Sequence, residues 1–324
     1  MNQIDFIREA NYKVDMENIV LPYLLQRKKS GDFERVPGHK IHYRTYAADT
    51  PHADVVLVHG FTEGLDKFNE VVYYFLQTGY NVWQIQQMGH GKSYRLVKDP
   101  SLVYIKDYRD LIRDLHSFVT DIVEKQRKNP LLPKYIFGHS MGGGVSAAYI
   151  EMYPDDFSKA VLTSPMLELN SGNNSVLAVA LYAQFMNMAG RGKNYLPGSA
   201  PFSPKPDFEN SCSNSKARYE NWFAQVCQRE EYQTCASAIT TAMEFLKLIK
   251  YATAKKNCAR VKAKVLLIQA GNDNMVKPGG QETFICQIGE LGRIFRMENA
   301  KHEIYLGKDS DLEVYWKEIL EFLQ

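Results

Sequence analysis

The chain has 324 residues, of which 45% are hydrophobic, and a formal net charge of +2. This size and composition predict a globular protein with one large domain, or one domain with an insertion. Because 39 basic residues are balanced by 37 acidic ones, the charge gives no sign of nucleic-acid binding or of strong attraction to anionic membranes. Five cysteines without a C-x-x-C pair predict free thiols in a reducing compartment, rather than a disulfide framework or a zinc site.

The N-terminus lacks the basic head and the apolar core of a signal peptide. The longest apolar stretch, Val176 to Met188, is interrupted by Gln184 and Asn187 and is too short to cross a bilayer. We therefore expect a cytoplasmic protein.

The first half of the chain predicts a β-hairpin followed by alternating strands and helices. Residues 33–47 alternate around the turn Pro37-Gly38-His39-Lys40, which favours a hairpin at one edge of a sheet. The continuous apolar run Val55-Val56-Leu57-Val58 is typical of a strand buried on both faces of a parallel sheet. A helix over 66–78, a strand over 81–85 and an amphipathic helix over 104–125 follow.

The stretch from Lys134 to Met152 combines a short apolar strand, a tight turn with Ser140 at its apex, and a helix. Gly138, Ser140 and Gly142 form the pattern G-x-S-x-G, the nucleophile elbow of α/β-hydrolases, which lifts the serine Oγ above the sheet edge. The same letters could mark a simple glycine-rich helix start. The strand before them and the helix after them favour the elbow.

Two backbone N–H groups are candidates for stabilising an oxyanion at this serine. The helix that starts at Met141 directs its N-terminal N–H groups and its positive dipole end at the turn. The loop His59-Gly60-Phe61 follows a buried strand, at the place where this fold supplies its second donor. We predict that the N–H groups of Phe61 and Met141 form the oxyanion hole. A plain strand-to-helix turn is the alternative for His59-Gly60.

The acid and the base that a serine nucleophile needs are expected later in the chain, in the order Ser, acid, His. Asp273 follows the predicted strand 264–269, and His302 follows the predicted strand 293–297. Parallel strands deliver both loops to the edge that carries Ser140, so we predict a triad of Ser140, Asp273 and His302. His90, between two glycines, is expected to be structural. Glu303 is either a partner of the site or a solvated acid at a helix start, and the second interpretation is preferred.

A long insertion separates the strand at 160–165 from the strand at 264–269, because about a hundred residues are far more than a crossover needs. We assign residues 167–257 to a helical cap, with helices over 176–188, 217–227 and 236–252. Residues 1–166, with an N-terminal arm, and residues 258–324 would form the α/β-hydrolase core, a mostly parallel central sheet flanked by helices.

The apolar side chains of the first cap helix have two interpretations. Leu177, Leu181 and Phe185 could line a pocket for an acyl chain, or they could pack the cap onto the core, as such stripes usually do. We expect the apolar cap to touch a membrane surface transiently.

These motifs resemble the lysophospholipase and monoacylglycerol lipase group of α/β-hydrolases, and bacterial lysophospholipases in particular. The resemblance rests on H-G-F-T-E-G at His59, G-H-G-K-S at Gly89, G-H-S-M-G-G at Gly138, G-N-D-N-M-V at Gly271 and K-H-E-I at Lys301. It covers the chain from about residue 33 to the end, is faint in the cap, and implies the same triad and oxyanion donors. Gln86 and Met88 depart from the family, which usually has Asp and often Arg there.

The resemblance implies cleavage of a single acyl ester in a lysophospholipid or a monoacylglycerol, with no cofactor. A short-chain carboxylesterase and an amide or peptide hydrolase of the same fold are the alternatives. A protein that only binds a ligand on a hydrolase scaffold is a further one, and the complete set of Ser, Asp and His argues against it.

Overall fold

The computed structural model describes residues 4–170, 172 and 175–324. Its strands are β1 (Lys28–Glu34), β2 (Lys40–Tyr46), β3 (Ala53–Val58), β4 (Tyr80–Ile85), β5 (Leu102–Val103), β6 (Lys134–His139), β7 (Lys159–Thr163), β8 (Ala236–Ser237), β9 (Lys264–Ala270) and β10 (Gly292–Met297). Eight strands in this part of the chain form one sheet in the order β1-β2-β4-β3-β6-β7-β9-β10, and β5 pairs separately with β8. Strand β2 is antiparallel to β1 and β4, whereas the other neighbours in the large sheet are parallel.

Helices cover both faces of this sheet. They are α1 (Tyr12–Asp15), α2 (Leu21–Arg27), α3 (Asn69–Gln77), α4 (Tyr108–Ser117), α5 (Glu124–Gln126), α6 (Met141–Met152), α7 (Val176–Met188), α8 (Lys216–Gln228), α9 (Ile239–Ala252), α10 (Lys255–Cys258), α11 (Pro278–Ile288) and α12 (Asp309–Leu323). Along β3, Val56 and Val58 pack into one hydrophobic cluster, and Val55 and Leu57 pack into the other. Since successive side chains of a strand point to opposite faces, the continuous apolar run is the signature of a strand covered on both sides. The predicted α/β fold with a mostly parallel central sheet is confirmed.

The parallel pairing brings the ends of four strands to one edge. In the register, Val58 of β3 lies beside Gly138 of β6, His139 lies beside Thr163 of β7, and Thr163 lies beside Ile268 of β9. The loops that follow β3, β6, β9 and β10 therefore leave the sheet on the same side, which we call the carboxyl edge. Open α/β sheets bind ligands at this edge.

Two predicted helix starts are wrong, one because of a local cap and the other because of a long-range strand pairing. The helix expected from residue 104 begins at Tyr108, because the Asp107 carboxylate caps it by accepting the N–H of Arg109. The helix expected from residue 236 begins at Ile239, because residues 236 and 237 form β8 beside β5. The predicted bounds of α7 are confirmed.

The insertion between β7 and β9 is fastened to the core through Arg218 of α8, whose side chain is fully buried. Its guanidinium lies 3.0 Å from the carboxylates of Glu70 in α3 and Asp309 in α12, and it donates to the carbonyl of Ile7. A buried cation needs such partners, so α8 is held between the N-terminal segment and the core. Among residues 4–170, 172 and 175–324, no helix is both long and apolar enough to cross a membrane.

Candidate active site

Ser140 occupies a strained turn between β6 and α6. Its φ of 50° and ψ of −118° lie outside the conformations that side-chain-bearing residues favour. Glycines are required beside it, because a Cβ on Gly142 would lie 2.2 Å from the carbonyl oxygen of Val58, and one on Gly138 would lie 2.7 Å from that of Gly142. The Ser140 N–H donates to the Thr163 carbonyl at 3.0 Å, which fastens the turn to β7.

The structure brings Ser140, His302 and Asp273 together at the carboxyl edge. His302 Nε2 lies 2.8 Å from Ser140 Oγ, and His302 Nδ1 lies 2.7 Å from Asp273 Oδ2. The other Asp273 oxygen accepts the N–H groups of Met275 and Val276 at 2.8 and 3.0 Å. The side chain of Asp273 is thereby fixed in the orientation that faces the histidine.

The charge of Asp273 is stabilised where it is buried. Burial by itself would raise the pKa of this carboxyl, but the hydrogen bond and charge of His302 and the N–H groups of Val276 and Met275 outweigh it, and the pKa is lowered. Asp273 is therefore an anion at neutral pH. An anion beside Nδ1 keeps the proton on that nitrogen and leaves Nε2 free to take a proton from Ser140.

Three backbone groups of the loop after β3 are held by side chains. The Gly60 N–H donates to the Glu63 carboxylate, the Gly60 carbonyl faces His59 Nδ1 at 2.7 Å, and the Thr62 N–H donates to His90 Nε2 at 3.0 Å. Among the described residues, the Phe61 N–H has no hydrogen-bond acceptor, and Phe61 lines one cavity with Ser140. Met141 is the first residue of α6, so its N–H has no acceptor within the helix.

The side chains of His90 and Gln86 contact this loop. His90 is fully buried, with Nδ1 2.9 Å from the Met88 carbonyl, which agrees with the structural role expected for it. Gln86 Nε2 lies 3.1 Å from His59 Nε2 and so meets the histidine that faces the Gly60 carbonyl. The amide of Gln86 thus contacts the loop through His59.

An apolar cavity of about 580 Å³ opens at Ser140. It is lined mainly by carbon-rich side chains from the loops and from α7 and α9, including Phe61, Met166, Val179, Ala242, Phe245 and Met275. Sequence reasoning missed the cavity residues of α9 and the pair Met275-Val276. The apolar pair, two and three residues after Asp273, was a usable signal. Pockets of this size and character accommodate small apolar ligands.

Neither interpretation of Leu177, Leu181 and Phe185 is right, because they do not line this cavity and do not pack the cap onto the core. Their exposed fractions are 68%, 58% and 63%, and they face solvent. The opposite side of α7, with Ala178, Val179 and Tyr182, lines the cavity instead. Because α7 is apolar except for Gln184 and Asn187, its sequence has no periodicity that would distinguish the two sides.

Glu303 is not the solvated acid that was preferred. Its carboxylate accepts a hydrogen bond from Lys67 Nζ at 2.6 Å, and its side chain is only 17% exposed. Lys67 also lies 3.2 Å from Glu63, and both of these side chains are buried. Sequence reasoning missed Glu63 and Lys67. Their charges in the segment that connects the buried strand β3 to α3 were the available signal.

Comparisons with known proteins place these features among hydrolases. The family model described as serine aminopeptidase S33, Hydrolase_4, matches residues 49–309. A monoacylglycerol lipase of Mycolicibacterium smegmatis is 32% identical over 146 residues, which are 45% of this chain and 49% of that protein. The match thus spans about half of the lipase's length. Lysophospholipase L2 of Escherichia coli K12 is 24% identical over 308 residues, covering 92% of this chain and 88% of that protein.

Solved structures share the fold. A soluble variant of the monoglyceride lipase of Saccharomyces cerevisiae superposes with a TM-score of 0.72 at 17% identity, covering 92% of this chain and 95% of that one. A carboxyl esterase of Bacillus coagulans also gives 0.72, at 18% identity, with coverage of 92% and 98%. At these identities the likeness establishes the architecture alone.

Proposed function

Since the chain belongs to the serine aminopeptidase S33 family, Hydrolase_4, we propose that it is a serine hydrolase that cleaves the ester of a single-chain lipid, a lysophospholipid or a monoacylglycerol. One observation carries this proposal: the hydrogen-bonded series Ser140, His302 and Asp273 opens onto an apolar cavity. The names of the lipase and lysophospholipase relatives support the substrate class.

The proposed reaction is acyl transfer in two steps. His302 Nε2 takes the proton of Ser140 as its Oγ attacks the ester carbonyl, and the Phe61 and Met141 N–H groups stabilise the oxyanion. Asp273 stabilises the imidazolium that forms. His302 then gives its proton to the leaving alcohol, and an acyl-enzyme remains on Ser140. Water, activated by the same histidine, releases the fatty acid and restores the serine.

We further propose that residues 167–257 act as the cap that supplies one wall of the acyl site. Helices α7 and α9 lie in this segment, and both contribute residues to the cavity that Ser140 opens into. An acyl chain placed there would be removed from water by apolar side chains. That burial favours long chains over short ones by about 0.8 kcal/mol for each methylene that is buried.

The test is release of fatty acid from a panel of substrates. The panel contains lysophosphatidylcholine, lysophosphatidylethanolamine, monoolein, p-nitrophenyl esters from acetate to palmitate, and a long-chain fatty amide. We expect turnover of the single-chain lipids and an ester preference that rises with chain length. Turnover of acetate and butyrate esters alone would refute the lipid assignment, and turnover of the amide alone would favour the amidase alternative.

The cavity offers a variant that sharpens this test. Ala242→Phe places a ring in the wall of the acyl site and should move the chain-length preference toward short esters. Leu177→Phe adds similar bulk on the solvent side of α7 and should leave the profile unchanged. A profile that is the same in both variants and in the wild type would place the acyl chain elsewhere.

We also propose that α7 touches the lipid surface from which substrate is drawn. Leu177, Leu181, Phe185 and Met188 are exposed along one side of a helix that carries no charge, while its other side lines the cavity. Apolar side chains on such a helix enter the boundary between headgroups and acyl chains. The contact would place the substrate beside the opening of the acyl site.

Binding to neutral phosphatidylcholine vesicles measures this contact. The variant Leu177→Ser/Leu181→Ser/Phe185→Ser is expected to sediment with vesicles at least tenfold less than the wild type. Leu131→Ser is the matched control, because Leu131 is 90% exposed but lies outside the insertion. Equal sedimentation of the triple variant and the wild type, or none of either, would refute the contact.

A further inference from the structure

A buried lysine lies between the two loops that carry the proposed oxyanion donor and the proposed base. Lys67 belongs to the short 3₁₀ helix Leu65–Phe68, and its side chain is 6% exposed. Its Nζ lies 2.6 Å from Glu303 Oε1 and 3.2 Å from Glu63 Oε1. One cation therefore joins two carboxylates in an environment where an unpaired charge would be costly.

The two carboxylates belong to different parts of the site: Glu63 to the loop with the proposed oxyanion donor, and Glu303 to the loop with the proposed base. Glu63 accepts the N–H of Gly60, which immediately precedes Phe61, and it also accepts the hydroxyl of Tyr305. Glu303 immediately follows His302, whose Nε2 faces the serine. The series Gly60, Glu63, Lys67, Glu303 thus runs from the oxyanion loop, residues 59–64, to the residue beside the base.

Lys67 remains charged in this position. Burial would lower the pKa of its ammonium group, but the charges of Glu303 and Glu63 outweigh that effect, and the pKa is raised. Its other neighbours include the thiol of Cys212 and the ring of Trp222, at 5.8 Å from Nζ. His139 lies 3.8 Å from Glu63, and burial lowers its pKa to about 3. His139 is therefore neutral at neutral pH, and the cluster of Glu63, Lys67 and Glu303 carries one net negative charge.

We infer that Lys67 is a positioning residue, which through Glu63 and Glu303 fixes the oxyanion loop relative to His302. This inference rests on the proposed ester hydrolysis. The oxyanion donor and the base must act on one carbonyl at the same moment, and a displacement of about 1 Å in such a site can cost on the order of 100-fold in rate. Lys67 is absent from the described cavity lining, so its effect is on the reaction rather than on substrate binding.

The first test uses a variant that keeps the net charge of the cluster. Lys67→Met/Glu303→Gln removes one cation and one anion, so the net charge of the cluster is unchanged, and Glu63 keeps the Gly60 N–H and the Tyr305 hydroxyl as donors. We expect kcat for a p-nitrophenyl ester to fall about tenfold to 100-fold while KM changes by less than about twofold, with Tm measured alongside. Labelling of the serine by a fluorophosphonate should slow by the same factor. A folded variant with the kcat of the wild type would overturn the inference.

Two single variants keep the test decisive if the double variant does not fold. Glu303→Leu leaves the Lys67–Glu63 pair intact but detaches the histidine loop, and it should lower kcat about tenfold. Glu303→Gln retains an oxygen that can accept from Lys67 and should recover most of that loss. Equal kcat in Glu303→Leu and the wild type would overturn the inference.

A control variant distinguishes the loss of positioning by Lys67 from the general effect of losing a buried ion pair. Arg218→Met/Glu70→Gln removes a pair that is equally buried but links α8 to α3. It should lower Tm while kcat stays within about twofold of the wild type. A similar fall of kcat in this control would count against a specific role of Lys67. If the wild-type enzyme hydrolyses none of the esters in the panel, the proposed function fails, and the role of Lys67 fails with it.

Discussion

Ser140→Ala is expected to lower kcat for long-chain esters by about 10⁵-fold to 10⁶-fold. Loss of a serine nucleophile removes the covalent route, and His302 is left without a hydroxyl to activate. The strained backbone of the elbow does not need the hydroxyl, because the Ser140 N–H holds the turn through its hydrogen bond to the Thr163 carbonyl. The variant should therefore fold normally and still bind substrate in the apolar cavity.

Fatty-acid release and covalent labelling by a fluorophosphonate measure this effect together. Ser146→Ala is the matched control, because Ser146 lies in α6, the helix that follows Ser140, and its buried hydroxyl has no hydrogen-bond partner in the described chain. It should retain wild-type activity and labelling. If Ser140→Ala kept both labelling and turnover, the nucleophile would be another residue.

The core of the fold was predictable because its signals are local and repeated. Continuous apolar runs such as Val55–Val58 identify strands that are covered on both faces, and the elbow pattern places Ser140 between a strand and a helix. Parallel pairing then brings the loops with Asp273 and His302 to the edge where Ser140 lies. The resemblance to lysophospholipases and monoacylglycerol lipases, drawn from the same motifs, is confirmed by the relatives found.

The insertion was less predictable because its contacts are long-range. The start of α9 depends on the pairing of β8 with β5, two short strands that are more than 130 residues apart and have no pattern of their own. Which side of α7 faces the cavity depends on how this helix packs, and a mostly apolar sequence leaves that undetermined. Leu181 was therefore assigned to the cavity, although Tyr182 lies there.

The cluster around Lys67 was missed for a different reason. A charged residue in a loop is usually solvated, so Glu63, Lys67 and Glu303 each looked ordinary in the sequence. Only the folded chain shows that Glu303 meets the two charges of the segment 63–67 beside the site. Charged residues in the loop after a buried strand, or next to a candidate base, merit attention for this reason.

Asp273→Asn is expected to lower kcat by about 10⁴-fold without disturbing the fold. The asparagine carbonyl can still accept the N–H groups of Met275 and Val276, which now bind Asp273 Oδ1, so the loop should keep its shape. Its amide group would then face His302 and donate to Nδ1. That contact favours the tautomer with the proton on Nε2, which cannot take a proton from Ser140.

Steady-state kinetics with the p-nitrophenyl esters measure this effect, and Asp32→Asn is the control. Asp32 also pairs with a histidine, since its carboxylate lies 2.7 Å from His42 Nδ1, but that pair belongs to the antiparallel edge of the sheet. The control should keep the wild-type kcat. Glu303 is the other carboxylate next to the base in the chain. If Asp273→Asn retained more than about a tenth of the activity, while Glu303→Gln lost it, the orienting acid would be Glu303, and Lys67 would act on that acid directly rather than on the position of the loops.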